Sequence, residues 1–197
     1  LTQPTTFLFA VPAIGVLAEI VPMTVGKRTP VRGVLFAGIA LIGVAAFAGV
    51  TQQNVQNLPW QGEGFDTDDL GEKVGDLVPF LLFNGLPVLG LLLVFLVCLQ
   101  TARPEKGTTF NLTPGLAFAF FGAGMVLVGM LGNLLFAIDD LALRNTVFEE
   151  ATLVYVVYGG VLGIAGAVAH WAPKLWGREI PAVKLVPLAL LGVLATV

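Results

Sequence analysis

The fold is decided by residues 145–178, NTVFEEATLVYVVYGGVLGIAGAVAHWAPKLWGR. The apolar part, residues 147–171, is long enough to cross a bilayer, because about 20 residues at 1.5 Å per residue span a hydrocarbon core of roughly 30 Å. The stretch ends in tryptophans and cations at residues 171–178, which is typical of the lipid headgroup region. This pattern predicts a membrane-spanning helix.

The composition places the whole chain among membrane proteins. Hydrophobic residues make up 56% of its 197 residues and charged residues only 12%, a balance that a soluble domain of this length could not keep in solution. The single cysteine, Cys98, excludes a disulfide framework and a multi-cysteine metal or iron–sulfur site. The sequence has no glycine-rich phosphate loop, nucleophile triad or basic nucleic-acid patch, so we expect no nucleic acid partner.

Six apolar spans divide the chain. They cover residues 6–25, 34–50, 77–100, 115–138, 147–171 and 181–197. Spans of this length predict an all-α, polytopic membrane helix bundle with about six transmembrane helices, forming a single membrane domain over residues 1–197. Thr113 followed by Pro114 predicts the N-cap and first turn of the fourth helix. Since the first residue is Leu1 rather than methionine, we expect an excerpt of a longer chain.

The basic residues predict the orientation. Eight of the ten fall on connections that alternate to one side, namely Lys27, Arg28, Arg32, Arg103, Lys106, Lys174, Arg178 and Lys184. The positive-inside rule therefore places loops 26–33, 101–113 and 172–184 in the cytoplasm. The opposite connections hold most of the carboxylates. We expect an integral protein of a bacterial or archaeal plasma membrane, in contact with membrane lipid.

The central stretch resembles helix X of subunit I of the haem-copper oxidases, the cytochrome c oxidase family, which has DTYFVVAHFHYV, then GG, then YYWxPKxxGR. The matching residues here are Thr146, residues 151–156, Gly159, Gly160 and residues 171–178. In the family, two histidines of this motif ligate the two haems. Their positions here are Thr152 and Val154, and neither side chain can ligate haem iron as an imidazole does.

Two more stretches resemble the copper-binding helices VI and VII of that family. Residues 12–22, PAIGVLAEIVP, resemble LPAFGIISEIIP, and the copper-ligand positions hold Gln3, Gln52 and Gln53. Three neutral amides do not form a site for a borderline-soft copper ion. Phe7 stands where the family has a tyrosine cross-linked to a copper ligand. The resemblance therefore covers family helices VI to XI with degenerate cofactor positions, and we expect no haem, copper or other metal in this segment.

The resemblance also implies the loss of a proton path and of a magnesium site. With Pro87 aligned to the proline of helix VIII, Leu91 stands at the position of the conducting lysine and Val88 at that of its threonine partner. Arg144 and Asn145 replace the His-Asp pair that belongs to the outer magnesium site.

A few polar residues stay as candidates for a polar or cation site. The carboxylates in question are Asp139, Asp140, Glu149 and Glu150. A solvated helix start is the competing interpretation, because the positive end of a helix favours carboxylates and water is near. His170, the only histidine, lies beside Trp171 near the cytoplasmic interface, where we expect an anchoring role rather than haem ligation.

Three functions are compatible with these observations. The first is a non-catalytic oxidase subunit I-like protein, a pseudo-enzyme that acts as a structural or assembly element among other respiratory-complex subunits. The second is a part of a working terminal oxidase with haem and copper, electron transfer to oxygen and proton pumping, which demands histidines. The third is a channel or transporter that uses a polar cavity lined by the glutamines.

The emptied cofactor volume is expected to be closed by packing or filled with lipid, since voids between helices forfeit dispersion contacts. The residues expected to face that volume are Phe7, Leu91, Leu153 and Val154. The three glutamines are expected to bond to one another, to backbone carbonyls or to water.

Overall fold

The computed structural model describes residues 2–46, 82, 85–104, 112–135, 143, 146–178 and 180–194. Six α-helices lie in these ranges: α1 (Thr2–Val25), α2 (Arg32–Ala46), α3 (Leu86–Ala102), α4 (Pro114–Leu135), α5 (Val147–Trp176) and α6 (Ala182–Leu194). Each helix coincides with one of the six apolar spans in the sequence. The prediction of an all-α membrane bundle is confirmed at this level for the described part of the chain.

Three of these helices contain segments that are long and apolar enough to cross a membrane. The segments are Phe7–Val25, Pro114–Leu135 and Glu150–Trp176. Two shorter apolar segments, Arg32–Val44 and Leu86–Ala102, lie in α2 and α3. These lengths and the apolar outer surface indicate an integral membrane protein.

Helix α5 lies between α1 and α4, and small residues bring all three backbones together. A Cβ atom built on Gly163 would lie 2.8 Å from Cα of Ala13 in α1, and one built on Gly160 would lie 2.7 Å from Cβ of Phe9. On another face of α5, Gly159 touches Gly122 of α4. Glycine contacts of this kind are how helices approach closely in lipid, where the hydrophobic effect between helices is weak. The bundle is therefore built around the stretch that the sequence singled out.

A second close pair joins α2 to α3. A Cβ on Gly38 would lie 2.8 Å from the carbonyl oxygen of Gly90, and one on Gly90 would lie 2.5 Å from that of Gly38. Helix α3 also packs against α4. The rings of Phe95 in α3 and Phe120 in α4 lie edge to face, with their centroids 5.9 Å apart. One core runs through this arrangement, with contributions from α1 to α5.

The helix ends follow from local sequence. Thr113 caps α4, since its Oγ1 accepts a hydrogen bond of 3.4 Å from the backbone N–H of Leu116, and the predicted N-cap is confirmed. At the other end of α5, Gly177 adopts φ +65° and its N–H donates to the carbonyl oxygen of Pro173 at 3.0 Å. Only glycine takes this left-handed conformation without strain, so the position ends the helix.

The basic connections meet at one end of the bundle. The ammonium group of Lys27, between α1 and α2, donates a hydrogen bond of 3.2 Å to the carbonyl oxygen of Arg103 at the end of α3. Thr24, Thr113 and His170 line one cavity at this end, which brings the start of α4 and the end of α5 beside them. The cationic loops thus share one side, as charge alternation requires; the assignment of that side to the cytoplasm stays a prediction.

Candidate functional site

The position that matches the first haem ligand is occupied by a hydroxyl that already has a protein partner. Thr152 of α5 is buried, with 5% of its surface exposed. Its Oγ1 donates a hydrogen bond of 3.0 Å to Oδ1 of Asn133 in α4. This bond satisfies a polar group that would be costly to leave unpaired among apolar neighbours.

Helix α4 fills the space next to Thr152. Gly132 lies so close that an added Cβ would overlap Cγ2 of Thr152. A Cβ on Gly129 would lie 2.7 Å from the carbonyl oxygen of Thr152 and 2.6 Å from Cγ2 of Val156. Because even a methyl group has no room on this face, a planar macrocycle does not fit between α4 and α5 at this point.

The second ligand position lies on a different face of the helix. Val154 is 36% exposed. Residues two apart on an α-helix point roughly 200° apart, so once Thr152 faces α4, Val154 must turn away from it. Thr152 and Val154 thus lie on different faces of α5, and that Phe7, Leu91, Leu153 and Val154 face the emptied cofactor volume stays a prediction. Leu91 is 1% exposed in the core and Phe7 packs against that core, whereas Leu153 is only half-buried.

The residues at these two positions do not fit a haem. Neither Thr152 nor Val154 offers an imidazole, and the hydroxyl of Thr152 is engaged with Asn133. Within the described ranges, histidine, cysteine and carboxylate side chains form no group of three that could hold a metal ion.

Several predicted site residues fall where side-chain geometry is not described. Gln52, Gln53, Asp139 and Asp140 lie outside the described residues. Gln3 and Glu149 belong to α1 and α5 respectively, without a described side chain. Glu150 is exposed in the first turn of α5, where water and the positive helix end both favour a carboxylate. Two expectations thus stay predictions. One is the hydrogen bonding of the three glutamines, and the other is the polar or cation site formed by the four carboxylates.

Sequence reasoning overlooked Asn133. It is the one amide in a helix of apolar residues, glycines and a proline. A lone polar side chain inside such a span usually has a partner across the helix interface. That signal marks Asn133 as a residue with a partner on a neighbouring helix, but it does not identify Thr152 as that partner.

A cavity of about 400 Å³ lies at the basic end of the bundle. Its wall combines the hydroxyl-bearing Thr24 and Thr113 and the imidazole of His170 with apolar Ile180 and Leu185. His170 lies in the last part of α5, with its ring edge to face with Trp171 at 5.9 Å. It therefore lines an opening near the helix ends rather than the centre of the bundle.

The fold and these contacts define an apolar, glycine-packed membrane helix bundle with a polar pair between the end of α4 and the start of α5. Cytochrome c oxidase subunit 1 of Thermostichus vulcanus is 24% identical to this chain over 184 residues, which cover 90% of the chain and 30% of that protein. The chain thus spans about a third of the length of this curated relative. No protein-family model and no solved structure matches the chain. The comparison supports a distant relationship to the haem-copper oxidases.

Proposed function

We propose that this chain is a non-catalytic relative of cytochrome c oxidase subunit I that serves as a structural or assembly element of a respiratory membrane complex. Support for the relationship comes from the match along 90% of the chain. Support for the loss of catalysis comes from one observation above all. The position that matches a haem ligand carries Thr152, whose hydroxyl is bonded to Asn133 while glycines of α4 close the space around it.

The packing gives this proposal a physical basis. Loss of an imidazole alone would leave a cavity, and in soluble cores each Å³ of cavity costs about 24 cal/mol. Here Gly122 and Gly129 of α4 instead lie against the backbone of α5, and Gly132 lies against the side chain of Thr152. A bundle that keeps its helices and closes its interior can still present lipid-facing and subunit-facing surfaces to partners. We place it in the plasma membrane of a bacterium or archaeon, with other respiratory subunits as its partners.

The test uses the complex as it exists in its native membrane. An affinity tag on this chain allows the complex to be purified, and its subunits, haem and copper are then quantified together. We expect co-purifying respiratory subunits and no haem that depends on this chain. Deletion of the chain should lower the amount of assembled complex without changing the spectrum or the activity per assembled complex.

Two results would contradict this proposal and indicate a different function. Haem or copper in stoichiometric amounts with this chain, lost on deletion of the chain alone, would identify a working oxidase. Ion flux through proteoliposomes that contain only this chain would identify a channel instead.

A further inference from the structure

We propose that the cavity at the basic end of the bundle binds the phosphate headgroup of an anionic phospholipid. The proposal concerns a surface remote from the Thr152 position and does not depend on the absence of catalysis. The cavity of about 400 Å³ lies where α1, α4 and α5 end or begin. Its size falls in the range of pockets that enclose a small ligand, which is about 300 to 1,000 Å³.

Residues with hydrogen-bond donors at the start of α4 line this cavity. Pro114 has no N–H, Leu116 donates to Oγ1 of Thr113, and Ala117 donates to the carbonyl oxygen of Thr113. The N–H of Gly115, which is buried and lines the cavity, has no acceptor among the described residues. The O–H of Thr113 is also available, because its oxygen serves as the acceptor in the cap.

The imidazole of His170 completes the polar wall. It makes no hydrogen bond to another described residue, and its Cβ lies close enough to α4 that an added Cβ on Gly115 would be 3.2 Å away. Residues with hydrogen-bond donors from two different helices therefore line the same space. An anion in this space would also face the positive end of the 22-residue helix α4.

The charges around the cavity favour an anion. Lys174 lies one helical turn beyond His170 on the same helix and is exposed, and Arg178 follows it. Glu19 of α1 is the acidic group whose charge also acts on His170. The exposed Arg28 and Arg32 of the first basic connection and Arg103 at the end of α3 add positive charge at this end of the described chain.

The rest of the wall is apolar, which favours a lipid over a free anion. Ala169, Pro173, Ile180 and Leu185 also line the cavity. Ala169 and Pro173 lie in the last part of the apolar segment Glu150–Trp176, and the ends of membrane-spanning helices lie near the lipid headgroups. A ligand with a phosphate on one side and hydrocarbon on the other matches both walls.

The experiment is native mass spectrometry of the purified full chain released from nanodiscs of phosphatidylcholine with a minor fraction of phosphatidylglycerol. We expect one retained phosphatidylglycerol per chain. Lys174→Gln should reduce its retention about fivefold, the effect of one cation at an anionic membrane surface. Arg32→Gln removes the same charge at the same end but lies in α2, away from the cavity, and should leave retention unchanged.

A second variant changes the shape of the cavity and leaves the charge of the protein unaltered. Ala169→Leu places three further carbons in the cavity and should abolish retention of phosphatidylglycerol. Thermal melting of each variant reports whether it is folded. If Ala169→Leu does not fold, the comparison of Lys174→Gln with Arg32→Gln still tests whether phosphatidylglycerol binds in the cavity.

Three outcomes would overturn the proposal. They are equal retention of the two lipids by the unaltered chain, equal losses with Lys174→Gln and Arg32→Gln, and full retention in a folded Ala169→Leu variant. Displacement of phosphatidylglycerol by millimolar inorganic phosphate would show a site for the free anion and would overturn the assignment to a lipid.

Discussion

Gly122 of α4 and Gly159 of α5 touch backbone to backbone. A Cβ atom on Gly122 would lie 2.6 Å from the carbonyl oxygen of Gly159, and a Cβ on Gly159 would lie 2.6 Å from that of Gly122. The contact is thus reciprocal, and neither backbone oxygen can move aside as a flexible side chain could. It fixes the distance between the two helices on which the candidate site depends.

Gly122→Ala should therefore destabilise the protein, by about 1 to 3 kcal/mol, because the added methyl group forces the helices apart. Gly124→Ala is the matched control on the same helix. Its Cβ would meet only the ring of Phe95, at 3.9 Å, and the higher helix propensity of alanine should make it neutral or slightly stabilising. Thermal unfolding in detergent measures both, and equal melting temperatures would show that the glycine contact is absent.

The bond between Thr152 and Asn133 should appear as a coupling energy. Thr152→Val and Asn133→Leu remove its two partners, and in a double-mutant cycle we expect a coupling of about 0.6 to 1.7 kcal/mol. Thr101 serves as the control, because its buried hydroxyl donates to Val97 of its own helix at 2.7 Å. Thr101→Val and Asn133→Leu should be additive. Additivity of the Thr152 pair as well would mean that the bond contributes no stability.

Restoring imidazoles should not restore a haem. In the double variant Thr152→His and Val154→His, the first histidine would meet Gly129 and Gly132 of α4, which leave no room even for a methyl group. We expect a lower melting temperature and no Soret band after expression with excess haem. A Soret band from a histidine-ligated haem would show that the two helices can separate and that the site lacks only its ligands.

The orientation can be tested by cysteine labelling, since Cys98 is only 3% exposed and gives little background. Arg28→Cys and Lys174→Cys replace exposed residues at the basic end and should react with an impermeant maleimide only after the membrane is opened. Trp60→Cys, in the loop of residues 51–76 outside the described ranges, should react in intact cells. Labelling of Lys174→Cys in intact cells would reverse the topology.

The fold could be predicted because lipid imposes simple rules. The six helices follow from apolar spans, since in hydrocarbon each backbone must satisfy its own hydrogen bonds. The N-cap at Thr113 was predictable for a related reason, as a hydroxyl directly before Pro114 supplies an acceptor to N–H groups that have no partner within the helix. These features depend on residues close together in sequence.

The candidate site was less predictable because it depends on which faces of neighbouring helices pack against each other. The sequence identified Thr152 and Val154 as altered ligand positions, but only the rotation of α5 against α4 shows that one is buried and the other 36% exposed. Asn133 lies 19 residues from its partner Thr152, and no local pattern joins them. The cavity beside His170 likewise requires four segments to converge.

The glycine pair also limits how the bundle can move. A slide of α4 along α5 by one helical turn, about 5.4 Å, would bring Phe118 or Val126 to the place of Gly122. Both side chains are buried, and Val126 already packs against Gly159 from its present position. Neither side chain has room at the point where the two glycine backbones touch. The two helices are thus held in a single register, and a force on one helix would tilt both together instead of sliding one along the other.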